Sequence, residues 1–298
     1  MNRNEFLSSL CVDDFISWLI EKVPTLEFEL NFAQSRYVPS GLNMTVLGLE
    51  EVLSNYCWSA YWDAEGGERV RSSDWKSTRS SLERLSQWMQ MAVEQDDDHS
   101  CYLACLAILQ WGGVRGAKPF LKGLYENGDL IKYFSELVPL FDLTGHQSYT
   151  ALNSENVLRF DAGLTKIHSL LDKTGSPIYD SRVGAAMAML YALYCSDRDS
   201  DPELLCFPSG SARGDQIRNP AALGYQYAPQ FFTTDVTDES WAQWQLKLGW
   251  IIRETLTRCN WFSGENDLRA RCHGFEAALF MIGYDLRCFE CNNEFALA

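Results

Sequence analysis

The sequence predicts an all-α fold with at most a small β element near the N-terminus. Three features carry that expectation. Apolar residues recur at helical spacing along most of the chain, helix start and stop residues bracket those stretches, and strict two-residue alternation is clear only at Leu26–Phe32 (LEFELNF).

Phe15, Leu19 and Val23 open the first helical stripe. Beyond LEFELNF, an aromatic-rich stretch runs to Gly66–Ser73, whose Gly/Ser/Arg composition marks a boundary between an N-terminal subdomain, 1–72, and a helical body, 73–298. Leu82, Leu85, Trp88, Met89 and Val93 form a second stripe, with Ser80-Ser81 as its cap. Asp96-Asp97-Asp98 interrupts it as a solvated turn. Cys101 to Leu109 is a strongly apolar helix stopped by Gly112-Gly113. Leu124, Leu130, Ile131, Phe134, Leu137 and Val138 mark short helices, the last closed by Pro139. Phe160, Leu164, Ile167 and Leu171 predict an amphipathic helix ending at Thr174-Gly175-Ser176-Pro177, and a second helix follows Asp180-Ser181. Pro202 to Pro229 is rich in Gly, Pro, Ser and Asn and reads as a long loop. Helices from Ser240 to about Arg258 and from Leu268 to about Leu286 complete the chain, and no long-period repeat is present.

The 298 residues are 46% hydrophobic and 22% charged, which excludes a disordered or fibrous chain. The net charge of −15 argues against a general polyanion binder. It is unevenly spread: residues 1–159 carry −9, whereas 160–272 carry only −3, so an anionic ligand belongs to the later part. No apolar run reaches the roughly 18 residues of a membrane span. The N-terminus is acidic and lacks an unbroken apolar region, so no signal peptide is expected and a cytoplasmic location is.

Ten cysteines are too sparse for a disulfide scaffold, and Cys101, Cys105 and Cys195 read as buried thiols. Cys288-x-x-Cys291, with Cys259 and Cys272 upstream, has one tight pair where a metal site normally shows two, so no metal is expected. Asp172-Lys173-Thr174-Gly175-Ser176 imitates the phosphorylated aspartate motif of cation pumps without the strand or membrane domain that chemistry needs. There is no phosphate-binding G-x-x-x-x-G-K-[ST] motif and no H-E-x-x-H, so neither a nucleotide cofactor nor zinc proteolysis is expected.

The informative stretch is Phe160 to Val183, FDAGLTKIHSLLDKTGSPIYDSRV. It reads as a helix carrying one lysine, a Gly/Ser/Pro turn, and an aspartate at the cap of the next helix. Taken alone, Asp180 is a helix cap, and Lys166, about 200° around the helix from Leu164, is a surface lysine.

Pro177-Ile178-Tyr179-Asp180-Ser181-Arg182-Val183 resembles the P-hydrophobic-(x)-D-x-x-V run of the helix-hairpin-helix (8-oxoguanine glycosylase-like) DNA glycosylases. In that superfamily the aspartate is essential and the preceding helix can carry a catalytic lysine. Lys166 looks like that lysine, and Ala162-Gly163-Leu164-Thr165 looks like a degenerate hairpin. The resemblance implies a cleft between two helical subdomains, double-stranded DNA with a modified base as partner, and a base flipped out for cleavage of its N-glycosidic bond. It implies no cofactor. Asp180 and Lys166 become the catalytic candidates, the carboxylate stabilising an oxocarbenium-like sugar. Tyr179, Trp111 and Arg182 are the candidates for the base pocket. Arg213, Arg218 and Asn219 are the candidates for gripping DNA phosphates from the following loop. The short hairpin and the long Pro202–Pro229 loop suggest a specialised member of that superfamily, such as a bacterial phage-defence glycosylase acting on a hypermodified base, although the fourteen-residue step from Lys166 to Asp180 is shorter than the family's. The competing class is a non-catalytic helical module binding DNA or a protein, which the acidic charge favours. A cationic groove leading to Asp180 would favour the enzyme, and uniformly acidic walls the module.

Overall fold

A computed structural model describes residues 1–199, 201 and 204–295. Pro202, the expected start of the long loop, and 296–298, the end of the expected helical body, lie outside these residues. In chain order the helices and strands are α1 (Arg3–Leu7), α2 (Leu10–Lys22), β1 (Glu27–Phe32), β2 (Leu42–Leu47), α3 (Gly48–Ser54), β3 (Ala60–Asp63) and β4 (Arg69–Ser72). Then follow α4 (Trp75–Glu94), α5 (Asp98–Trp111), α6 (Lys118–Asn127), α7 (Leu130–Phe141), α8 (Leu164–Leu171), α9 (Ser181–Arg198), α10 (Asp238–Arg258) and α11 (Leu268–Ile282). The protein is mainly helical, and among the described residues none of its helices is long and apolar enough to cross a membrane.

The LEFELNF alternation becomes β1, which pairs antiparallel with β2 from Glu27↔Leu47 to Phe32↔Leu42. Phe28, Leu30 and Phe32 point inward, and Phe28 meets Phe289 edge-on at 5.2 Å. A second hairpin was not legible, because β3 and β4 are only four residues each, too short for their alternation to stand out. Its turn and returning strand occupy Gly66–Ser73, the segment read from the sequence as a subdomain boundary. The N-terminal elements pack on the C-terminal ones: α3 against α11, and α2 and α1 against α10. Buried apolar residues from Phe6 to Phe289 form one cluster.

Several helix ends differ from expectation for local reasons. α4 starts at Trp75, capped by Asp74, whose Oδ1 accepts from the Ser77 amide at 2.7 Å while Ser77 Oγ accepts from the Asp74 amide at 3.3 Å. This capping box precedes the apolar stripe by two polar turns, which is why Ser80-Ser81 mimics a start. Pro139 lies in the last turn of α7, which continues to Phe141. The helix expected to run to Leu286 stops at Ile282 because Gly283 follows.

α8 carries the expected amphipathic pattern but is buried on every face, from Leu164 through Leu171, its polar side enclosed by neighbouring elements instead of facing solvent. α9 is likewise buried from Val183 to Tyr194. These two central helices and the nine residues that join them, Asp172 to Asp180, hold the site. The loop beyond α9 is anchored rather than loose: the Ser209 amide donates to Pro229 O at 2.9 Å, and the Phe231 amide donates to Ser209 O at 3.0 Å.

Candidate active site

The turn leaving α8 is organised by one carboxylate. Asp172 Oδ2 accepts the amides of Thr174, Gly175 and Ser176 at 2.8, 2.6 and 2.7 Å, and Oδ1 accepts from the Thr174 hydroxyl at 2.7 Å. The Asp-Lys-Thr-Gly sequence is thus a turn, with Gly175 at φ +102° where a side chain would be strained. The chain then runs extended to Asp180, held to α8 and α10 by a buried polar network. Thr165 Oγ1 accepts the Tyr179 amide at 2.8 Å and donates to Gln245 Oε1 at 2.6 Å. Gln245 Nε2 donates to Ser176 Oγ at 3.1 Å, and Trp241 Nε1 donates to the Tyr179 carbonyl at 2.8 Å.

This network sets Asp180 opposite Lys166. Asp180 caps α9, its Oδ1 accepting the amides of Arg182 and Val183 at 3.0 and 3.3 Å, a contact worth about 1 kcal/mol to the helix. Its other oxygen lies 3.8 Å from Lys166 Nζ. Lys166 is buried, not a surface residue, because α5 and the chain before α8 close over the flank that an isolated helix would expose. Its ammonium donates to Ala162 O at 3.0 Å, and its stem lies across Gly112, where a Cβ would come within 2.6 Å of Cδ and Cε. Gly283 gives the same close approach at the other side, since a methyl there would overlap the Arg182 carbonyl.

Asp180 and Lys166 face a cavity of about 550 Å³. Aromatic rings form much of its wall, including Tyr56, Trp58, Trp75, Phe231, Trp241 and Phe280. Its charged lining is Lys166, Arg182, Arg213 and Arg218 against Asp180 and Glu276. Through Tyr37, Trp111, Gly113 and Val114 it adjoins a trough of about 1480 Å³ that carries Arg36, Arg71, Arg115 and Lys118 against Asp63, Glu65 and Asp74. The walls around Asp180 are not uniformly acidic despite the charge of the whole chain.

The remaining sequence candidates divide. Trp111 lines the cavity, and its indole Nε1 is buried without a partner. Arg182 also lines it, its guanidinium stacked over Trp58 at 3.9 Å, Phe280 at 4.3 Å and Tyr284 at 5.0 Å. Burial pulls the Arg182 pKa down to about 10, with Asp180 opposing that drop and Arg218 adding to it. Arg182 Nη1 has no hydrogen-bond partner, an arrangement that ordinarily costs about 1–3 kcal/mol. Tyr179 is not a wall of the cavity: its ring is fully buried, with the hydroxyl donating to Pro208 O at 3.0 Å. The alternation of the extended segment turns position 179 inward when 180 faces the cavity.

Of the three loop candidates, only Arg213 is exposed beside the site, and it makes no hydrogen bond or ion pair among the described residues. Arg218 is buried, donating to Ser181 Oγ at 3.0 Å and Gln216 Oε1 at 3.1 Å, so it is a wall of the cavity and not an outer phosphate clamp. Asn219 turns its side chain to its own loop, Oδ1 accepting the amides of Ala221 and Ala228 at 3.0 and 3.3 Å.

One further residue was not anticipated. Glu276 of α11 lines the cavity, buried, 3.8 Å from His273 Nδ1, and burial raises its pKa toward the neutral acid. A lone carboxylate within the apolar run Gly274-Phe275-Glu276-Ala277-Ala278-Leu279-Phe280 was the available signal. Among the described residues no His/Cys/Asp/Glu group is arranged to hold a metal ion. Cys288 is buried and donates to Ile282 O, Cys291 donates to Glu27 O, and Cys272 is buried in α11.

Comparison with known protein families, with characterised proteins and with solved structures found no match to this chain. The site is therefore read from its own atoms.

Proposed function

We propose that the chain is a DNA N-glycosylase acting in the cytoplasm on a flipped-out, modified base, with Asp180 as the catalytic carboxylate. The observation that carries this reading is Lys166 Nζ held 3.8 Å from Asp180 Oδ2 at an aromatic-walled cavity. A nucleobase leaves with the electron pair of its C1′–N bond, and positive charge develops on the deoxyribose. A carboxylate fixed by two helix amides cannot swing away from that charge, so it stabilises the transition state without reorganising. Water then adds at C1′ and its proton goes to the departing base nitrogen that took the electron pair, leaving an abasic site and the free neutral base. Lys166 orients and balances Asp180 in this scheme. A cavity of about 550 Å³ sits mid-range for sites enclosing drug-sized ligands, room for a base carrying a bulky modification, as in hypermodified phage DNA targeted by bacterial defence. The architecture proposed is that of the helix-hairpin-helix glycosylases, with the turn at residues 162–165, where Asp161 Oδ1 accepts the amides of Gly163 and Leu164, in place of their hairpin.

The test is incubation with genomic DNAs bearing different base modifications, hypermodified phage DNA among them, scored for abasic sites and strand breaks. The expected result is intact abasic strands from at least one DNA, no borohydride-trapped adduct, and a loss of about a hundredfold or more in Asp180→Asn, which can still cap α9. Release from none of them, or near-normal release by Asp180→Asn, removes the assignment. The net charge of −15 favours the second reading, a non-catalytic helical module, which predicts binding without release.

A further inference from the structure

Among the described residues, four buried polar atoms on side chains lining the cavity lack a partner; one, Thr78 Oγ1, can donate or accept, and the other three can only donate. Trp111 Nε1, Arg182 Nη1 and Arg218 Nε are all buried, all belong to residues lining the cavity, and none has a hydrogen-bond partner. The Arg182 guanidinium makes no hydrogen bond at all among the described residues, although its backbone amide does. It is held instead by its flat faces, packed over Trp58 and Phe280 with Tyr284 beyond. Ring faces engage the π surface of a guanidinium and leave its in-plane N–H fork pointing outward. On the acceptor side, Asp180 Oδ1 takes two amides, while Asp180 Oδ2 and Glu276 each stand 3.8 Å from a nitrogen, of Lys166 and His273 respectively. The Arg182 guanidinium has no acceptor of its own among the described residues, so a ligand that meets it must bring one.

We infer that Arg182 is the specificity-determining residue of this cavity, reading a base edge that presents a carbonyl oxygen beside a ring nitrogen, with Trp111 Nε1 as an auxiliary donor. The substrate class is accordingly an oxo-purine type of edge and not an amino-substituted one. The geometry is that by which a planar guanidinium takes two neighbouring acceptors in parallel. An amino group at the same place would set donor against donor and leave the buried fork unpaired. This inference rests on the glycosylase reading for the ligand's being a nucleobase.

The test uses free bases, so no bond need break. Hypoxanthine and adenine share N7 and differ at C6, where one has an oxygen acceptor and the other an amino donor. Titrating each into the full chain, followed by calorimetry and tryptophan fluorescence, is expected to show hypoxanthine bound at least about tenfold more tightly. Arg182→Lys keeps the charge but loses the planar fork, and should bring the two bases to within about twofold of each other. Trp111→Phe keeps the ring but loses the N–H, and should weaken hypoxanthine while leaving adenine unchanged. Thermal melting of each variant establishes that it is folded, and Arg182→Met serves if the lysine variant is not. Equal binding of the two bases, tighter binding of adenine, binding of neither, or an undiminished preference in folded Arg182 variants overturns the inference. The two ideas fail separately. Release of an amino-edged base from DNA would sink this one and leave the glycosylase standing, whereas an Arg182-dependent preference without any base release would do the reverse.

Discussion

At the scale of single residues, burial decides which side chains can act. His168 of α8 is enclosed by Phe134, Phe141 and Phe160, the last two stacked on it at 4.6 and 5.5 Å, and neither ring nitrogen has a partner. Burial pulls its pKa down from 6.5 to about 3. The unfolded chain therefore binds a proton below pH 6.5 that the folded chain refuses until about pH 3. Stability is intact above 6.5 and falls through this window at up to about 1.4 kcal/mol per pH unit. Denaturation midpoints at pH 6.5 and 5.0 should show the drop in the native chain and a smaller one in His168→Phe; identical slopes would mean that other groups carry it. Asp180 and Lys166 stood out by a resemblance to a family motif; read alone, Asp180 is the helix cap that it proves to be, whereas Lys166 is a surface lysine that proves to be buried. A helical wheel places Lys166 on a flank because it knows nothing of the helix that closes over it, and Glu276 was passed over because a lone carboxylate in an apolar helix has no motif.

At the scale of elements, the pair α8 and α9 was legible because its stops and starts are written in residue chemistry: an aspartate cap, a glycine at positive φ, a proline before an extended run. What joins them to α10 was not, since Thr165, Ser176 and Gln245 are common residues whose meeting depends on tertiary placement. Thr165→Val keeps the shape and removes the hydroxyl, leaving the Tyr179 amide and Gln245 Oε1 without their partner. It should cost about 2–4 kcal/mol by denaturant titration. Base release should also fall at temperatures where the variant is fully folded, because the segment that sets Asp180 is no longer pinned to α8. Thr165→Ser should recover both. A variant that loses stability but keeps full turnover would show that the network is only structural support. The β3–β4 hairpin escaped notice for a different reason: four-residue strands with exposed arginines carry too little alternation to register.

At the scale of the whole molecule, net charge proved a poor guide to local charge. The acidic residues are distributed over the surface while Arg115, Lys118 and Arg213, none of them in an ion pair among the described residues, are exposed along the trough and the cavity mouth. If DNA follows that path, Arg213→Ala and Lys118→Ala should each reduce the slope of log binding constant against log salt by about 1. Arg218→Ala, buried against Ser181 and Gln216, should leave the slope nearly unchanged. Slopes unaltered in all three variants would put any DNA on another face. The packing around the site also bears on ancestry. Apolar positions of a core drift freely so long as volume is kept, but a Cβ at 283 would overlap the Arg182 carbonyl oxygen, and one at 112 would displace the Lys166 stem that crosses it. Gly112, Lys166, Asp180 and Gly283 thus form a signature of four positions on which the geometry of the site depends. Chains of common descent too diverged to be found by overall similarity can be sought by that signature.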